Sequence, residues 1–102
     1  MDNQNNRKYY GSESLTISST VVSLTQSIYG DHPNYLLEAE IYVETAQIRV
    51  AFSPAGPNTG LAVEVGQNFK LYNQSEIENA RLIRGGSTDA TVRVLYFKTS
   101  TT

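Results

Sequence analysis

From Leu36 to Phe52, apolar and polar side chains alternate. Leu37, Ala39, Ile41 and Val43, then Ile48, Val50 and Phe52, stand against Glu38, Glu40, Tyr42, Glu44, Gln47 and Arg49. A period of two marks a strand with one face on a core and the other in water. The phase slips at Thr45-Ala46, which predicts two adjacent strands joined by a tight turn or bulge. A looser alternation through Leu15, Ile17, Val21 or Val22, Leu24 and Ile28, set among Ser and Thr, predicts one or two short strands. Leu61, Val63 and Val65, the turn Gly66-Gln67-Asn68, then Phe69 and Leu71 read as a hairpin. Asn73 to Ile83 divides evenly between another strand and a short helix capped by Ser75, with Glu78 at the capping-box position. Ala90, Val92, Val94 and Tyr96 alternate with Thr91, Arg93, Leu95 and Phe97 in a long last strand whose two faces are both partly buried.

The punctuation agrees with this pattern. Tyr29 to Asn34 is a loop, with Gly30-Asp31 and Pro33-Asn34 as turn formers and His32 held extended by the proline after it. Ser53 to Gly60 is a longer loop with Pro54, Gly56, Pro57 and Gly60. About seven or eight strands with turn signals roughly every 8 to 12 residues, and no βαβ unit, predict an all-β fold, an antiparallel β-sandwich or jelly roll. Its expected core holds Ile41, Val43, Ile48, Val50, Phe52, Val63, Phe69, Leu71, Val92 and Val94. Residues 1–14 are polar apart from Tyr9 and Tyr10, too poor in apolar mass to offset the entropy of ordering, and are expected to form a flexible arm. The domain proper is then 15–98, with 99–102 a polar tail.

Composition narrows the function more than it defines it. The 102 residues suit one domain. A net charge of -2, with no basic cluster longer than Arg7-Lys8, lacks the footprint of a nucleic-acid binder. The absence of cysteine removes disulfides, zinc-thiolate sites and thiol nucleophiles. No apolar run approaches the roughly 20 residues that span a bilayer, and the start Met1 to Asn6 has no signal-peptide core, so neither a membrane nor export is expected.

Candidate chemistry is thin. His32, the sole histidine, has no second His or Cys with which to build a site and is expected to be a solvated loop residue. Glu38, Glu40 and Glu44 share one strand face, a geometry that suits a cation site or an acid pair. It suits better a water-facing strand with Lys70, Arg49 or Arg93 across from it. Asn58-Thr59-Gly60 offers amide and hydroxyl groups to a ligand, yet also reads as an ordinary turn. No catalysis, cofactor or metal is expected. Seven tyrosines in a chain without tryptophan favour half-buried contact positions. Tyr9, Tyr10, Tyr42 and Tyr72, with Asn58 and Thr59, are the expected interface residues.

The order of these pieces carries a resemblance. Ala39 to Phe52, the loop Pro57-Asn58-Thr59-Gly60, Val65-Gly66, the Ile83-Arg84 pair and the closing strand Ala90 to Phe97 together resemble small β-rich virion proteins of tailed bacteriophages. The resemblance covers about residues 15–98 and is carried by common strand-and-turn grammar in a distinctive order. It implies a non-enzymatic structural component of the virion, made in the host cytoplasm. The implied role is capsid decoration (cement), with the major capsid protein or other virion proteins as partner and self-association, as a trimer, to multiply weak contacts. A tail or baseplate component, or a small carbohydrate-binding module built on the Ser53 to Gly60 loop, are the alternatives.

Overall fold

The computed structural model describes residues 7–32, 35–56 and 60–100. In chain order its elements are β1 (Arg7–Ile17), α1 (Gln26–Tyr29), β2 (Tyr35–Val43), β3 (Ile48–Phe52), β4 (Leu61–Val63), β5 (Asn68–Leu71), α2 (Gln74–Asn79), β6 (Ala80–Arg84) and β7 (Ala90–Ser100). The strands form two antiparallel sheets, one ordered β1-β7-β2-β5 and the other β4-β3-β6. This is the expected all-β sandwich, with seven strands among the described residues.

Period-two alternation decides which side chains fill the space between the sheets. Leu37, Ala39, Ile41 and Val43 of β2 and Val92, Val94 and Tyr96 of β7 are buried against Ile48 and Val50 of β3 and Leu82 of β6. Leu24, Tyr29 and Ile77, from α1, α2 and the chain before α1, join this core. Phe52 and Phe69 depart from expectation. Phe52 is 37% exposed and Phe69 only half-buried. They lie at strand ends, where the two rings meet each other at 6.4 Å and the sandwich opens to water.

Two expectations are corrected, the adjacent strands across Thr45-Ala46 and the hairpin across Gly66-Gln67-Asn68. β2 and β3 are consecutive but lie in opposite sheets, so Thr45-Ala46 carries the chain across the sandwich. β4 and β5 are split in the same way, β4 pairing with β3 and β5 with β2. In both places a short turn with alternating flanks satisfies a crossover as readily as a hairpin, because the flanking strands bury their faces in one shared core. Gly66, at φ +85°, fits the second of these turns, where its N–H donates to Val43 O while Val43 N–H donates to Gln67 O.

The arm is the largest correction. Arg7 to Ile17 form an edge strand paired with β7, from Arg7↔Thr99 to Ile17↔Ala90, with one irregularity between Tyr9 and Gly11. The expected boundary at residue 14 therefore falls inside a strand, and residues 1–6 lie outside the described residues. The expected tail is likewise cut back, since β7 runs to Ser100. A ladder of backbone hydrogen bonds holds β1, which a tally of apolar side chains does not register.

Segment 73–84 holds both of its expected readings in succession, a helix and then a strand. The cap sits two residues earlier than expected. Asn73 accepts from Glu76 N–H, and the Glu76 carboxylate accepts from Tyr72 N–H. Helix α1, a single turn, replaces the strand expected near Leu24 to Ile28.

Candidate interaction surface

Alternation in β1, β7, β2 and β5 sends a second set of side chains to the outer face of the four-stranded sheet. From the start of the edge strand β1, Arg7 spans two carboxylates of β2, with Nε donating to Glu38 Oε1 at 2.9 Å and Nη2 to Glu40 Oε2 at 2.7 Å. The guanidinium also lies over the Phe97 ring, 3.7 Å from its centroid. Tyr42 donates its hydroxyl to the other oxygen of Glu40. Beneath these groups Glu40 is only 7% exposed, although it is on the outer face. Burial pushes its pKa up, but the hydrogen bonds from Tyr42 and Arg7 and the charges of Arg7 and Lys70 outweigh this and leave it below the usual glutamate value. Glu40 is thus corrected from a solvated carboxylate to a covered one. Of the expected cross-strand partners, Lys70 stands opposite Glu40 and Arg93 Nε lies 3.7 Å from Glu44. Arg49 instead donates to Gly60 O on the other sheet.

Three of the expected interface tyrosines are exposed on or beside this sheet. Tyr9 is 58% exposed, with its ring edge-on to Phe97, Tyr42 is exposed beside Glu40, and Tyr72 is 59% exposed just past the end of β5. Leu36 adds exposed aliphatic surface on β2. Tyr10 is half-buried and bound within the chain: its hydroxyl donates to Tyr29 O, and its ring packs near Tyr96 and His32. Asn58 and Thr59 lie outside the described residues. His32 is half-buried between the rings of Tyr10 and Tyr35. Among the described residues no group of three or more His, Cys, Asp or Glu is arranged to hold a metal ion.

The sheet has two outer strands, β1 and β5. Along β1, the side away from β7 makes no backbone hydrogen bond to any other described segment, so its edge N–H and C=O groups are open. The other sheet is treated differently. The edge of β6 is covered by the chain after β1, where Val22 and Leu82 exchange both backbone bonds and Arg84 N–H donates to Ser18 O. Sequence reasoning missed both Arg7 and the β1 edge because it took residues 1–14 as unpaired. The Arg7-Lys8 pair beside two tyrosines was the available signal.

No protein-family model matches this chain, and a search of curated proteins found no match. Among solved structures the chain is similar to a protein of Bacillus endospore appendages, described as forming a novel family of disulfide-linked pili. The TM-score is 0.53 at 12% identity, over 94% of this chain and 88% of that one. The likeness is one of fold. This chain has no cysteine and so cannot make the cross-link named in that description.

Proposed function

We propose that this chain is a non-enzymatic structural subunit that associates with a second copy of itself along the free edge of β1. The observation that carries this is the open edge of an 11-residue strand beside exposed Tyr9. An edge of this length with no backbone partner among the described residues, interrupted by one irregularity between Tyr9 and Gly11, offers its remaining N–H and C=O groups to another strand. Two β1 edges meeting antiparallel about a two-fold axis use the same surface on both copies, which closes the contact into a dimer. The pilus-like fold of the structural neighbour agrees with a life in assemblies.

Within this reading, the resemblance to tailed-phage virion proteins supports a finer one: a capsid decoration protein that attaches to the major capsid protein. The Tyr9, Leu36 and Tyr42 side of the sheet is then the face offered to the coat. The expected trimer is the other stoichiometry to be tested. Light scattering coupled to size exclusion distinguishes monomer, dimer and trimer, and the double variant Tyr9→Lys/Ser14→Lys, which places charge along β1, should return the protein to monomer. Cosedimentation with purified capsids tests the finer reading, and failure to cosediment at saturating protein would remove it while leaving self-association standing.

A further inference from the structure

An open cleft of about 340 Å³ lies where β5 parts from β2, lined by Arg7, Glu38, Glu40, Lys70, Leu71 and Tyr72. Its volume is within the range of small-molecule sites. The side chains around it divide into a fixed set and a set with donor or acceptor capacity left over. Arg7 and Tyr42 each donate to Glu40, which is nearly covered, so the floor is a rigid hydrogen-bonded unit. Lys70 Nζ and Glu38 Oε2 make no hydrogen bond to any described residue. Beside them stands the Tyr72 ring, 59% exposed, its backbone N–H fixed by Glu76 at the start of α2.

We propose that this cleft binds a neutral sugar ring. Lys70 donates to one ring hydroxyl, Glu38 accepts from its neighbour, and Tyr72 offers an apolar face to the C–H side of the pyranose. The charges decide for a neutral ligand. Arg7 and Lys70 balance Glu38 and Glu40, so neither an anion nor a cation gains from the net charge, while a polyol uses donor and acceptor alike. The site is on the opposite sheet from the Ser53 to Gly60 loop, where the sequence had suggested a carbohydrate site, and it does not depend on self-association through β1.

The test is saturation-transfer NMR on the full-length protein with glucose, galactose, mannose and N-acetylglucosamine, and with glucuronic acid as the charged comparison. The expected result is transfer to at least one neutral sugar, with a Kd of about 1 mM or tighter. Tyr72→Ala and Lys70→Met should each weaken it by about tenfold, with melting temperatures near that of the parent. Tyr9→Ala, on the same sheet but outside the cleft, should leave it unchanged. Absence of transfer to every neutral sugar, transfer only to glucuronic acid, or binding indifferent to both cleft variants would overturn the proposal. Loss of self-association in Tyr72→Ala without any sugar binding would overturn it too, by making the cleft a subunit contact.

Discussion

Glu40 shows how one carboxylate organises a sheet face. It sits on the side of β2 that alternation assigns to water, yet Arg7, Tyr42 and the sheet around them leave it almost no exposure. Its pKa is held below the ordinary glutamate value, so the folded state binds this proton more weakly than the unfolded chain does. The stabilisation is therefore fully present above the ordinary glutamate pKa of about 4.3 and is lost as pH falls through the depressed value. Glu40→Gln should cost about 1 to 3 kcal/mol at pH 7 and progressively less as pH is lowered below the ordinary glutamate range, as measured by urea unfolding across that pH series. A cost that does not change with pH would mean that the charge of Glu40 contributes nothing. On the inner side of the same strand, Ile41 has no exposed surface, and Ile41→Ala should cost about 2 to 5 kcal/mol by the same measurement. A loss under about 1 kcal/mol would show that the site collapses around the smaller residue. Gly60 is fixed for a different reason, since a Cβ there would stand 2.3 Å from Val50 O.

At the scale of the element, β1 separates what the sequence could tell from what it could not. Strands β2, β3 and β7 were legible because each repeats an apolar residue at every second position and buries that face. β1 offers Gly11, Glu13 and Leu15 on the corresponding face, where Glu13 is satisfied by Tyr96 Oη at 2.5 Å and Thr25 Oγ1 at 2.6 Å. A polar side chain bonded inside the fold looks, in sequence, like one bonded to water. The split of β2 from β3 was hidden for a related reason: alternation reports which face is buried and not which sheet a strand joins. The Arg7 site followed β1 into obscurity, although both of its acidic partners were visible. Deleting residues 2–12 removes the ladder from Arg7 to Ser12 and uncovers Glu40. The truncated chain should be less stable by about 3 kcal/mol or more, if it folds at all, as read from its melting and urea unfolding. Unchanged stability would restore the flexible arm that composition alone suggests.

For the whole molecule, the outcome is a sandwich in which β6 is guarded and the longest edge strand, β1, is open on its outer side. The second sheet has β6 closed by the Val22 bridge, whereas the side of β1 away from β7 has no backbone partner among the described residues and lies beside an aromatic and charged face. On the proposed reading, that open edge is where a second copy adds its strand. The most direct test is sedimentation equilibrium of the full-length protein over a wide concentration range, run beside Tyr9→Lys/Ser14→Lys. The account predicts reversible association of the parent to a dimer and a folded, monomeric variant. A parent that remains monomeric at every concentration, or a variant that associates as tightly as the parent, would contradict it.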